Sequence, residues 1–281
     1  MEKALLKKMS LVSLLCLMIT LAGCYINIGC AMRAKYQRTV QLSGPLSPGS
    51  GFEAQTHNGS IKVIGADITD CNLTATITAR ARTEEDAQKL AERTTVKLES
   101  FGEKLIAKIS KPTFMTNQSV SVSLDVQVPN ESDLELTTHN GSVEIRNITG
   151  RLNSTTHNGK IIAEQVSGSS ELRTHNGSVT CREISGDSRL KSHNGSVKVY
   201  YTKAAPSVCD ISLITYNGGI ELETPLDFSG EFYASTHNGS VRTDLPITIM
   251  GKISKSKLTG KIGNGSGKLH LETHNGSIRV K

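Results

Sequence analysis

The sequence predicts an all-β fold, a parallel β-solenoid (β-helix-like) of roughly 18–23-residue coils with a small strand–helix–strand insert near the N-terminal end. Three observations carry this. Nine of the 25 glycines follow an Asn, and seven of those Asn-Gly pairs follow a His in a chain with only eight His. The motif recurs at fixed spacing, since His139, His157, His175 and His193 stand 18 residues apart. Between the motifs Val, Ile and Thr alternate with polar residues, the period of a strand. An 18-residue unit is too short for a helical pair, so self-similarity at that period reads as stacked coils.

The first 24 residues read as an address. Lys3, Lys7 and Lys8 precede an apolar run from Met9 to Ala22. That run is shorter than the roughly 20 residues a membrane-spanning helix needs. It ends Leu21-Ala22-Gly23-Cys24, which resembles the bacterial lipobox, with Cys24 as the lipid attachment site. Residues 1–23 are thus expected to be a lipoprotein signal peptide, and the membrane to be a partner through the N-terminal lipid. Tyr25, where an Asp would favour inner-membrane retention, points to the outer membrane or cell surface. Residues 24–49, with Gly44-Pro45 and Pro48-Gly49, read as a tether.

Residues 50–281 form the expected solenoid domain. An early motif copy stands at His57-Asn58-Gly59, before an insert over 66–130. Within the insert Leu73 to Ile77, Val96 to Leu98 and Leu105 to Ile109 read as strands, as does the alternating run Val120, Val122, Leu124, Val126, Val128. Thr83-Glu84-Glu85-Asp86 is a capping box opening a helix with Ala87, Leu90 and Ala91 on one face. The insert is expected to widen or cover the end of the solenoid, because a bare end exposes unpaired backbone.

The regular coils follow from Leu136. Asn140-Gly141, Asn158-Gly159, Asn176-Gly177 and Asn194-Gly195 keep the 18-residue period, as do Gly150, Gly168 and Gly186. So do the apolar rows Val143, Ile161, Val179, Val197; Ile145, Ala163, Cys181, Val199; and Ile148, Val166, Ile184. Looser copies come at Asn217-Gly218, Asn238-Gly239 and Asn275-Gly276. Asn-Gly often marks a hairpin, but an in-phase motif stacks each copy on the last with the same strand direction. Asn and Gly suit the left-handed conformation expected at the corner. The last strand, from Ser277, is expected at a sheet edge guarded by Arg279 and Lys281.

The T-x-N-G-S-[IV]-x-[IV] repeats, the acidic helix with its flanking strands, the Val126 to Pro129 run and the C-terminal Gly263 to Ile278 segment together resemble the bacterial adhesin-like domain family of unknown function. The resemblance covers about residues 50–281 and implies an all-β solenoid found on envelope proteins, with no catalytic assignment.

Function is constrained mainly by exclusion. Without the signal the chain keeps 29 basic and 25 acidic residues, a net charge of +4, scattered rather than blocked. Aromatic residues are 4% with no Trp, so base- or sugar-stacking platforms are scarce. Nucleic acid is therefore not an expected partner; an envelope protein or glycan is. The remaining Cys30, Cys71, Cys181 and Cys209 include no CxxC, and Cys181 takes an inward Val/Ile position as a buried thiol. Strand alternation puts the motif His outward, with the Leu or Thr two residues earlier inward, so stacked coils align His139, His157, His175 and His193 about 4.8 Å apart. Such a row offers a metal-binding alternative, yet no Asp, Glu or Cys recurs in phase to complete a site. The Asn row is expected to form an amide ladder. Catalysis would need a cluster that breaks the repeat; no paired acids or G-x-S-x-G elbow does so. The expectation is a non-catalytic binding or structural role without a cofactor. A metal-binding lipoprotein is the alternative, ahead of a carbohydrate-active enzyme.

Overall fold

The computed structural model describes residues 34–113, 117–250 and 254–281. In its first part strands β1 (Ala34–Pro45), β2 (Gly51–Asn58), β3 (Ile61–Ala66) and β4 (Asp70–Ala81) lead to helix α1 (Glu84–Glu92). After α1 come β5 (Thr95–Phe101), β6 (Lys104–Ser110) and β7 (Ser119–Pro129). The regular coils contain β8 (Asp133–Asn140), β9 (Val143–Thr149), β10 (Leu152–Asn158), β11 (Ile161–Ser167), β12 (Ser170–Asn176), β13 (Val179–Ile184), β14 (Ser188–Asn194) and β15 (Val197–Tyr201). The last part has β16 (Asp210–Asn217), β17 (Ile220–Glu223), β18 (Gly230–Asn238), β19 (Val241–Thr243), β20 (Thr248–Ile249), β21 (Lys257–Ile262), β22 (Gly267–Asn275) and β23 (Ile278–Val280).

These strands make two sheets that face each other across one core. The first runs β1-β4-β7-β3-β9-β11-β13-β15-β17-β23-β19. The second runs β20-β21-β18-β22-β16-β14-β12-β10-β8-β2-β6-β5. Each coil gives one strand to each sheet, and regular neighbours pair in parallel: Ile161 faces Val143, and Thr156 faces Thr174. The all-β parallel solenoid is thus the fold. Every residue of the three apolar rows is buried. Each large aliphatic side chain so buried contributes about 1.5–3 kcal/mol.

The rows are spaced by two and then three residues: Val143, Ile145, Ile148. The extra residue is a kink that neighbouring coils share, so the register holds across it: Glu164 faces Arg146 and Val166 faces Ile148. Asn147, Gln165 and Glu183 occupy equivalent positions with φ of 57°, 56° and 53°. This left-handed kink re-aims the next residue at the core. The second corner follows at Gly150, Gly168 and Gly186, all with positive φ.

The first corner differs from expectation. Of its eight glycines only Gly59 has a positive φ in the left-handed range, and none of the corner Asn does. Glycine is needed there for proximity. A Cβ on Gly59, Gly141, Gly159, Gly177, Gly195, Gly218, Gly239 or Gly276 would lie 1.9–2.2 Å from a neighbouring backbone carbonyl oxygen.

The segment over 66–130 joins the solenoid rather than standing apart from it. β7 pairs in parallel with β3, and β4 and β1 extend that sheet antiparallel. The β5–β6 hairpin extends the other sheet from β2. Helix α1 has the expected start and buried face: Thr83 accepts from the Asp86 N–H at 3.1 Å, and Ala87, Leu90 and Ala91 are buried.

Two expectations are corrected. The tether over 24–49 does not extend through 34–45, which is strand β1. Its pattern was obscured because Arg38 takes an inward-facing position. There its guanidinium donates to the carbonyls of Ala91, in the last turn of α1, and Thr94, just past it, at 3.0 and 2.6 Å. The C-terminal strand is not an edge either. β23 lies between β17 and β19, and β22 between β16 and β18. Arg279 therefore stands inside a sheet.

Gly159→Ala is expected to destabilise the chain by about 3 kcal/mol, because overpacking against backbone cannot be relieved by a rotamer change. Gly219→Ala, whose Cβ would sit 3.2 Å from the nearest oxygen, should cost clearly less. Urea denaturation of the two variants measures the difference.

Candidate functional site

The site grows out of the Thr-His-Asn-Gly corner, where each residue has its own partner in the next coil. The residue before the motif's aromatic position points inward: Thr138, Thr156, Thr174 and Ser192 are buried. This corrects the expected inward residue, since strand alternation puts the residue two earlier, such as Thr137 or Thr155, on the His side. The Thr138, Thr156, Thr174 and Ser192 hydroxyls donate to the carbonyls of Gly59, Gly141, Gly159 and Gly177 at 2.8–3.0 Å. Thr56, Thr215, Thr236 and Thr273 continue the row at 2.7–3.0 Å. The sequence reading missed this ladder, although Thr or Ser stands before every copy.

The Asn residues form an unbroken amide ladder. Each Nδ2 donates to the neighbouring Oδ1 at 2.7–2.8 Å, through Asn140 to Asn58, Asn158 to Asn140, Asn176 to Asn158 and Asn194 to Asn176. Asn217, Asn275 and Asn238 continue it in that spatial order.

The rings stack beside it. His57, His139, His157, His175 and His193 have centroids 4.7–4.8 Å apart, and the row runs on through Tyr216, His274 and His237. The expected four-ring row is half of this stack. From His139 to His193 neighbouring planes differ by only 1–7°. Equivalent nitrogens are then separated by about the same step, with parallel lone pairs. Two Zn–N bonds span at most about 4.2 Å. One ion therefore cannot join adjacent rings in this arrangement, and the His139, His157, His175, His193 metal reading gains no support from it. Among the described residues no group of three His, Cys, Asp or Glu is placed to hold a metal. The histidines' polar contacts there are His175 Nδ1 with Asn176 Oδ1 at 3.1 Å and His270 Nε2 with Glu272 at 3.5 Å.

A groove of about 930 Å³ follows the ring row from His57 to His193. Its floor is the outward row Gln55, Thr137, Thr155, Arg173 and Lys191. β6 pairs with β2 only as far as Ala107, then diverges, and Ile109 and Lys111 wall the groove. A second hollow of about 540 Å³ continues it past Tyr216 to His237, and Lys191 and His193 line both. Four cations face one carboxylate, Glu53, in the larger part. Lys108 is paired with Glu99 at 3.0 Å and Arg173 with Glu171. Lys111 is half-buried, and desolvation alone pushes its ammonium below the usual lysine range.

Cys181 is fully buried and unpaired, as its position in the apolar row implies. Burial pushes its thiol up from 9.0 to about 12; Cys71 also rises to about 12, and Cys209 to about 11. Cys24 lies outside the described residues.

Two long sheets, in-phase corners and side-chain ladders define a repeat protein of the β-solenoid class. The chain belongs to the Toastrack family, DUF4097, whose profile matches residues 100–281. That match is shorter than the span of about 50–281 expected from the motifs. A candidate cell adhesion protein from Clostridium sporogenes ATCC 15579 is similar at 10% identity and a TM-score of 0.37, covering 87% of this chain and 99% of that one. A candidate adhesin from Bacteroides fragilis NCTC 9343 shows 11% identity and a TM-score of 0.38, over 87% and 97%. A candidate lipid binding protein from Parabacteroides distasonis ATCC 8503 shows 9% and 0.31, over 88% and 97%. No curated protein matches the chain.

Thr174→Val is expected to cost about 1–3 kcal/mol by stranding a corner carbonyl, and Asn176→Ala about 1 kcal/mol because water replaces its exposed partners. Urea midpoints should rank them in that order. The thiols add a pH signature. Their folded-state values lie above the unfolded 9.0, so their contribution is intact below pH 9.0 and is lost as pH rises toward about 12. The buried phenol of Tyr201 acts in the same direction. Denaturation midpoints across that range should fall less steeply in Cys181→Val.

Proposed function

We propose that the chain is a lipid-anchored envelope protein whose solenoid is a non-catalytic binding surface, with the ring-row groove as its ligand face. The observation that carries this reading is the groove itself. It runs along a repeated corner, and among the described residues that line it no nucleophile–base pair or set-off acid pair interrupts the repeat. Such a surface suits distributed recognition, whereas catalysis concentrates unlike groups at one place.

The anchor is read from the sequence. The basic residues Lys3, Lys7 and Lys8, the apolar run and Leu21-Ala22-Gly23-Cys24 support a signal ending at residue 23 and acylation of Cys24. Lipid chains contribute about 0.8 kcal/mol per buried CH₂, so more than one chain gives stable anchoring without a span. Ten residues lead from Cys24 to Ala34. Fully extended, they reach at most about 36 Å, which would keep the start of β1 near the bilayer.

Expressed with radiolabelled palmitate, the wild-type chain should take up label and sediment with membranes. Cys24→Ser should remain unlabelled and leave the membrane fraction. Equal labelling and sedimentation of the variant would refute the anchor. Shaving intact cells with a protease tests the surface placement: loss of the chain supports it, and protection places the chain inside the envelope.

A further inference from the structure

The groove's charge, length and ring orientation narrow its ligand. Taking the groove as the ligand face, we propose that it binds a linear acidic polysaccharide, a uronate-type chain lying along the ring row and held by Lys111 and Lys191.

Length gives the first argument. From His57 to His193 the row makes four steps of 4.7–4.8 Å, about 19 Å, and it continues to His237 through steps of 4.6–5.1 Å. Lys191 and His193 belong to both hollows, so the groove is a continuous track rather than a closed pocket. A track suits a polymer better than a small molecule.

Ring orientation gives the second. Each interior ring spends its faces on its neighbours, leaving edges rather than faces toward the groove. Stacking of bases or of sugar faces, which needs a free aromatic face, is therefore disfavoured. The imidazole edges, the Gln55 amide and the floor hydroxyls of Thr137 and Thr155 instead line the groove with groups capable of hydrogen bonding. Sugar hydroxyls and carboxylates match them.

Charge gives the third. Lys108 and Arg173 already have carboxylate partners, whereas Lys111 and Lys191 have none among the described residues. Lys111 is half-buried in the wall that it shares with Ile109, with only desolvation acting on it. A half-buried ammonium without a counter-charge is held at a cost that an incoming carboxylate would offset.

Calorimetry on the full mature chain in detergent, with a galacturonic-acid oligosaccharide long enough to span the groove, tests this. The expected result is binding that weakens as salt rises and falls at least about tenfold in Lys191→Glu and in Lys111→Ala. A neutral maltooligosaccharide should not bind. Lys191 is exposed on a strand's outer face, so Lys191→Glu remains informative if Lys111→Ala misfolds. Equal binding of the neutral sugar, or unchanged uronate affinity in Lys191→Glu, would overturn the proposal. So would binding to phosphatidylglycerol vesicles, lost in Lys191→Glu, without uronate binding; that result assigns the groove to lipid headgroups. Retention on isolated cell envelopes separates the two readings. If Lys191→Glu abolishes retention while uronate never binds, the groove remains the ligand face and the acidic-polysaccharide assignment fails.

Discussion

The structure depends on one constraint, the parallel stacking of coils at the strand-to-strand step. Hydrogen bonding between strands sets that step at about 4.8 Å. Every row at the corner then inherits it. A Gly carbonyl must sit close enough to receive the next Thr hydroxyl, which leaves no room for a Cβ on the glycine above it. Asn amides at that distance link end to end. Imidazoles at that distance stack. Four residue types recur because one spacing imposes four different requirements on them.

The same equivalence makes coils interchangeable. Each regular coil offers its neighbour the same Thr donor, Asn amide and ring, so nothing in the motif specifies which coil lies next to which. The C-terminal coil of β22 and β23 therefore fits between β16–β17 and β18–β19, and the ring row reads Tyr216, His274, His237 in space. The intervening segments, including the antiparallel pairing of β18 with β21, decide the order.

The proposed ligand face lies where a non-repeating hairpin flanks the repeat. The repeat supplies a uniform face of ring edges, threonines and occasional cations. The β5–β6 hairpin diverges from β2 beside that face and turns an open surface into a groove with an apolar wall and a half-buried lysine. On the proposed reading, a long and chemically repetitive track favours extended partners, with specificity resting on the few charges that do not repeat.

Much of this was legible in the sequence because the period is a local property written many times. The 18-residue spacing of His139 to His193, the buried rows headed by Val143, Ile145 and Ile148, the Asn ladder and the cap at Thr83 all follow from residue type and position. The left-handed kink at Asn147 was also written there, as the step from two to three between Ile145 and Ile148, but it takes the backbone to give that step a meaning. Only the tertiary structure decided the rest. It paired β1 with β4 and gave Arg38 partners at the C-terminal end of α1, seated the C-terminal coil inside the stack, made the corner glycines a matter of clearance, and brought Lys111 beside the rings. Those outcomes depend on contacts between residues far apart in the chain, and no periodicity encodes which distant surfaces meet.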